Sequence, residues 1–213
     1  MKTAYFSILL LALTACSGGQ SQETDKTAAD NETSPSANGA KVCRIDLLPY
    51  GDFTVQETER LKKELEQNLT QIVPVDIKIL PAEPLPHSAY YKPRNRYRAG
   101  EILNVLKRRK KPGEGVTIGL THKDISTTIH GTQDFGIMGY SHLPGNAAVC
   151  STFRLKRRAD LCNLVIHEFL HAVGFPHCET AGCYMQDAHG KNVMTGSKSL
   201  CRQCQPRLKQ MKY

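Results

Sequence analysis

The run His167-Glu168-Phe169-Leu170-His171-Ala172-Val173-Gly174-Phe175-Pro176-His177-Cys178 constrains this chain more than any other stretch. Histidines at positions 167 and 171 share one face of an α-helix, about one turn apart, so both imidazoles can reach one metal ion. Gly174 tolerates the left-handed backbone that ends a helix, and Pro176 prevents the helix from resuming. His177 can therefore swing back as a third ligand. Three protein ligands with an open fourth position mark a catalytic zinc, whereas a structural zinc is closed by four side chains. Glu168 is then placed to take a proton from a water whose pKa the metal lowers, which is the chemistry of peptide-bond hydrolysis. A bare HExxH also occurs on buried helices whose histidines are merely hydrogen-bonded; the extension through Gly174 to His177 favours the chemical reading.

A second constellation follows at once. Cys178, Cys183, Cys201 and Cys204 form C-x4-C, a long loop and C-x2-C. Paired thiolates at this spacing suit a closed tetrahedral zinc, and a site of four thiolates is structural because it leaves no room for water. Two disulfides are the alternative in an exported protein. The two residues between Cys201 and Cys204 suit a knuckle around a metal better than a bridged loop. The expectation is two Zn2+ per chain.

The whole pattern, from His167-Glu168-x-x-His171-x-x-Gly174-x-x-His177-Cys178 through Cys183-x-Met185 to Cys201-x-x-Cys204, resembles the signature of the archaemetzincins. The resemblance extends over about residues 41 to 205 and includes stretches 121–126 and 149–155, which look like strands of that family. The resemblance implies a zinc peptidase of the metzincin clan, with a catalytic zinc on three histidines and a second zinc on four cysteines. It also implies that Met185 forms the methionine turn beneath the catalytic zinc, a polarizable support that does not bind the ion. Met194, in Asn192-Val193-Met194-Thr195-Gly196, is a rival for that role. The loop from Met185 to Cys201 is slightly shorter than the family pattern. In metzincins an edge strand holds the substrate main chain extended, and here that edge is expected within 135–140 or 147–153.

At the other end of the chain, Lys2 precedes an apolar run from Ile8 to Leu13, too short to span a bilayer and suited to a secretory signal. Leu13-Thr14-Ala15-Cys16 resembles a bacterial lipoprotein processing box. That implies a signal peptide over 1–15 and a diacylglycerol-bearing, palmitate-carrying Cys16; two or more acyl chains suffice for stable anchoring. Residues 17–39 lack large apolar side chains, so 16–40 reads as a lipidated cysteine followed by a disordered tether. The expected location is the bacterial cell envelope, lipid-anchored to a membrane and facing the periplasm or the cell surface. The folded part is then 41–213.

Within it, 42–48 reads as a strand closed by Pro49-Tyr50-Gly51-Asp52, and Thr54 with Glu57 reads as a capping box opening a helix on Leu61, Leu65 and Leu69. A second strand, 73–80, completes a βαβ unit. The proline-rich 81–86 is an extended loop, 99–111 a helix stopped by Pro112-Gly113, and 116–120 a third strand. Segments 135–140 and 147–153 read as strands joined by Leu143-Pro144-Gly145-Asn146. The active-site helix should run from 157 to 173 and be largely buried, where a glutamate is costly unless it faces a metal and solvent. Cys43, Cys150 and Cys162 read as buried thiols, and His122, His130 and His142 as surface or hydrogen-bonded side chains.

A formal net charge of +8 suggests affinity for anionic surfaces. Lys92, Arg94, Arg96, Arg98 and the run 107–111, with Tyr90, Tyr91 and Tyr97 between them, look like a phosphate-binding patch. Such runs are more often solvated or complement a helix dipole, so nucleic acid is disfavoured as a partner. The fold expected is α/β: a mixed, mostly parallel twisted sheet with packed helices, an active-site helix and a C-terminal four-cysteine zinc subdomain. The function expected is a zinc metallopeptidase acting on peptides or proteins as a monomer. The rivals are a non-catalytic zinc-binding lipoprotein and an anionic-surface-binding lipoprotein.

Overall fold

The computed structural model describes residues 42–111, 113–129 and 131–211. The expected signal peptide, Cys16, the expected tether and His130 lie outside the described residues. In chain order the main elements are β1 (Cys43–Pro49), α1 (Val55–Leu69), β2 (Val75–Ile79), β3 (Tyr90–Tyr91), β4 (Arg96–Arg98), α2 (Ala99–Leu106), β5 (Val116–Thr121), β6 (Ile125–Ile129), β7 (Thr132–Ile137), β8 (Gly139–Ser141), β9 (Ala147–Ser151) and α3 (Leu161–Ala172).

Two sheets result. The larger has the order β2-β1-β5-β9-β8, parallel throughout except for β8, which runs antiparallel to β9 as one edge. The smaller has the order β3-β4-β6-β7. The period-2 alternation of strands explains why the larger sheet is covered on both faces. Ile45, Leu47, Ile118, Ala148 and Cys150 pack with α1 and α3, while Leu48, Ala147 and Val149 pack with α2. Cys43, Cys150 and Cys162 are all buried.

The helix α1 starts where its capping box says it should. Glu57 N donates to Thr54 Oγ1 at 3.1 Å, and Thr54 N donates back to Glu57 Oε2 at 3.0 Å. Leu61, Leu65 and Leu69 are buried at one helical stripe, each contributing roughly 1.5–3 kcal/mol on transfer from water.

Elsewhere the boundaries differ from the sequence expectation. The helix expected over 99–111 ends at Leu106, because Asn146 Nδ2 donates to the carbonyls of Lys107 and Lys110 and draws the chain out of helical register. The helix expected over 157–173 starts at Leu161, behind a 3-10 turn at Arg158–Asp160. Asp160 is buried there and accepts from Arg157 Nη2 at 2.7 Å and Thr195 Oγ1 at 2.9 Å, tying the helix start to the C-terminal segment. The strand expected over 73–80 is confined to Val75–Ile79.

The segment expected to be one strand at 135–140 is divided between the sheets. Ile137 ends β7, which pairs with β6, while Gly139 begins β8, which pairs with β9. Met138 O accepts from Ser151 N at 2.7 Å at the crossing point. Stretch 121–126 is likewise no single strand: it spans the end of β5, a bend and the start of β6.

The basic cluster is partly used up in ion pairs. Arg96 joins Asp124 (2.6 Å), Arg98 joins Asp134 (3.5 Å), Lys110 joins Asp46 (2.8 Å) and Arg109 joins Glu83. His122 is hydrogen-bonded, with Nδ1 2.6 Å from Thr152 Oγ1, and stacks on Phe53.

Candidate metal centre and catalytic cleft

The helix α3 delivers the first two histidines and then stops. Gly174 has φ +107°, a conformation in which a side chain is strained, and Phe175 N donates to Leu170 O at 2.9 Å across the reversed turn. That turn also carries Phe175 O back to His171, whose Nδ1 donates to it at 2.7 Å. His167 Nδ1 donates to Tyr184 O, also at 2.7 Å. Both rings therefore hold their protons on Nδ1 and present bare lone pairs at Nε2.

Those lone pairs converge. His171 Nε2 lies 3.1 Å from His167 Nε2 and 2.9 Å from His177 Nε2. Lone pairs facing each other this closely repel unless a cation lies among them, and neutral imidazole is a common ligand of zinc. Burial pushes the His167 imidazole down to about 4, and burial together with the neighbouring imidazoles pushes His171 down to about 3. Both remain neutral and competent to bind metal at physiological pH. The residues fit a zinc ion.

Glu168 is buried, 6% exposed, against the edge strand β8. Ser141 Oγ donates to its Oε2 at 2.8 Å. Gly139 is the reason the strand can approach: a Cβ there would stand 2.4 Å from Glu168 Oε1. Burial pushes the Glu168 carboxyl up to about 7 while the Ser141 hydroxyl acts in the opposite sense, which places a proton acceptor near the operating range of a general base.

The four cysteines also come together, with their sulfurs all within 4.8 Å of one another. Cys178 Sγ and Cys201 Sγ are 4.0 Å apart, and Cys183 Sγ and Cys204 Sγ 3.9 Å. A disulfide needs about 2.05 Å, whereas four sulfurs at about 2.3 Å from a tetrahedral zinc have edges of about 3.8 Å. The geometry fits the metal knuckle. Burial raises the Cys201 thiol, but hydrogen bonds from Thr180, Cys204 and Cys183 outweigh it and hold it below the usual thiol range.

Met185 and Met194 are both buried, at 0% and 3% exposed. Met185 directly follows the carbonyl that His167 bonds, while Met194 O accepts from Asn163 Nδ2, one turn earlier on α3. Ser141, Gly139, the Tyr184 carbonyl and Asp187, which lies 3.5 Å from His177 Nδ1, were not legible as site residues. No spacing in the sequence announces them, because they reach the site by tertiary contact alone.

No family profile matches the chain. It is 31% identical over 127 residues to the archaemetzincin of Methanopyrus kandleri, covering 56% of this chain and 70% of that protein. The archaemetzincin of Haloarcula marismortui is 25% identical over 177 residues, covering 76% of this chain and 96% of its own. Among solved structures, the Archaeoglobus fulgidus archaemetzincin superposes with a TM-score of 0.60 at 26% identity, covering 77% of this chain and 99% of that one. The Methanopyrus kandleri structure gives a TM-score of 0.67 at 24% identity, covering 79% and 94%.

Together with these relatives, the fold and the site define the class as zinc metallopeptidase. Within that class, the chain belongs to the archaemetzincin family.

Proposed function

We propose that this protein hydrolyses peptide bonds alongside β8, with Glu168 as general base and His167, His171 and His177 as the ligands of a catalytic zinc. The observation that carries the reading is the convergence of the three Nε2 atoms, His171 Nε2 lying 3.1 Å from His167 Nε2 and 2.9 Å from His177 Nε2, with the Nδ1 protons of His167 and His171 committed to carbonyls. Zinc bound there supplies Lewis acidity and lowers the pKa of water toward neutrality. Everything else is the work of side chains and strand.

Glu168 accepts the proton of the attacking water and returns it to the leaving amine, its carboxylate aimed by Ser141. The edge strand β8 pairs with β9 on one side, and among the described residues no strand pairs with its other side. Its free backbone groups suit a substrate main chain laid alongside as an added strand. A second zinc on Cys178, Cys183, Cys201 and Cys204 braces the loop that follows His177, and Met185 fills the space below the imidazoles.

The sequence of 1–40 supports export and anchoring: an apolar run from Ile8 to Leu13, Leu13-Thr14-Ala15-Cys16 resembling a lipoprotein processing box, and a polar stretch after it. In this reading the peptidase works as a monomer held to an envelope membrane. Loss of palmitate labelling in a Cys16→Ser protein tests the anchor.

The decisive test of mechanism is Glu168→Gln. The variant keeps two zincs per chain by elemental analysis and loses peptide hydrolysis. Retained turnover ends the proposal, and fewer than two zincs in the parent protein removes one of the two ligand sets. A zinc store would need no base, so it would be indifferent to this substitution.

A further inference from the structure

The three imidazoles are not held alike. His167 and His171 stand on α3, and each gives its Nδ1 proton to a backbone carbonyl at 2.7 Å. His177 stands beyond the helix end with its side chain 46% exposed, and a carboxylate oxygen, Asp187 Oδ2, lies 3.5 Å from its Nδ1. A ring on a loop has free torsions and two tautomers. Unless one nitrogen is committed, only part of its population offers a lone pair at Nε2.

We infer that Asp187 is a positioning residue for His177, holding the Nδ1–H tautomer and the ring orientation that bring the third lone pair to the metal. The inference rests on the three-histidine zinc reading above. Asp187 is fixed to the backbone next to the ring it serves: its N–H donates to Cys178 O at 2.9 Å, beside the bridge that pairs Cys178 with Gln186. His189 N donates to Asp187 Oδ1 at 2.9 Å and sets the carboxylate so that Oδ2 is left for His177. His189 Nε2 pairs with Glu179 at 3.0 Å, and its Nδ1 lies 3.9 Å from Asp187 Oδ1, the oxygen turned away from His177.

The chemistry explains the choice of acceptor. A metal-bound imidazole gains positive character, which on α3 is dispersed into buried carbonyls. At the exposed His177 a neutral carbonyl competes poorly with water, and a carboxylate is the stronger partner for Nδ1–H. Asp187 also belongs to the loop that starts at Cys178, so the four-cysteine knuckle and the catalytic ring share one short piece of backbone.

The test is Asp187→Asn in the full chain loaded with metal. Asparagine keeps the N–H to Cys178 O and an Oδ1 for His189 N, and turns its amide nitrogen toward His177 Nδ1. Affinity of the three-histidine site is measured by competition of zinc with a chromophoric chelator. In parallel, cobalt reports the two sites separately, by thiolate-to-metal absorption at the cysteines and by d–d bands at the histidines. The expected result is a loss of about 10–100-fold in affinity at the histidine site, altered d–d bands and an unchanged thiolate band. Asp187→Glu should recover part of the loss, and Glu179→Gln should bind like the parent.

Unaltered affinity in Asp187→Asn overturns the inference. So does loss of the thiolate band with the substitution, which would make Asp187 a brace of the knuckle. A third metal that disappears with Glu179→Gln also overturns it, by assigning the carboxylate to a site of its own. Failure of the underlying zinc reading is told apart because the parent protein would then bind no metal at the histidines.

Discussion

Gly139→Ala is the substitution that most directly tests how the sheet and the active-site helix meet. A Cβ at 139 would lie 2.4 Å from Glu168 Oε1, 2.7 Å from Cγ and 2.8 Å from Cδ, where ordinary contact begins at 3.4 Å. The missing separation from Oε1 is therefore 1 Å (3.4 less 2.4). Turning the carboxylate about its last torsion cannot supply it, because Cγ and Cδ are also too close. Either β8 or the Glu168 side chain has to move, and a displacement of this size in a reacting group costs about 100-fold in rate.

Stability changes less. Overpacking costs about 1–3 kcal/mol, offset by about 0.5–1 kcal/mol from replacing a glycine inside a strand. The net loss of about 0–2.5 kcal/mol lowers the unfolding temperature by at most about 10 °C for a domain of this size. Turnover of a quenched fluorescent peptide, zinc content and thermal unfolding are measured together. The expected result is about 100-fold lower kcat with two zincs retained. Gly100→Ala is the control, since nothing lies within 4 Å of its Cβ position, and it should leave turnover unchanged. Turnover of Gly139→Ala within about threefold of the parent, about 0.7 kcal/mol in activation free energy, would refute the placement of Glu168 against β8.

Two further predictions concern the scaffold. Burial raises the Glu57 carboxyl, but hydrogen bonds from Thr54 and His122 outweigh it and hold it at about 2. A folded-state pKa below the unfolded value of about 4.3 gives stability that is present above pH 4.3 and lost as pH falls toward 2. Glu57→Gln should therefore narrow its stability gap to the parent by about 1–2 kcal/mol over that window in urea titrations; a gap independent of pH would refute the capping-box account. Asp124, 8% exposed at its side chain, accepts from Arg96 Nε at 2.6 Å and from Arg154 Nε and Nη2 at 2.7 and 2.8 Å. Asp124→Asn leaves two guanidinium groups without their counter-charge and should cost about 2–4 kcal/mol by chemical denaturation; a loss below about 1 kcal/mol would mean that solvent already screens the cluster.

How much could be read in advance depended on whether the information was local. The capping box at Thr54 and Glu57, the Leu61-Leu65-Leu69 stripe and the turn at Gly174 were legible because each is set within a few residues. The ends of α2 and α3 were not. Asn146 captures the carbonyls of Lys107 and Lys110, 39 and 36 residues away, and Thr195 bonds the buried Asp160, 35 residues away. The division of 135–140 between two sheets was hidden for the same kind of reason: pairing partners choose the sheet, and alternation along a strand does not name them.

The sequence by itself named the candidate donors, because helical periodicity and a glycine stop let three imidazoles meet at one end of a helix, and the C-x4-C and C-x2-C spacings pair the thiols locally. Only the tertiary structure decided which groups orient those donors. Tyr184 lends its carbonyl, Asp187 its carboxylate, Ser141 its hydroxyl, and Gly139 the space for Glu168. Spacing along a chain limits which atoms can meet, but burial and the angle of each hydrogen bond are set by segments that approach from elsewhere in the fold.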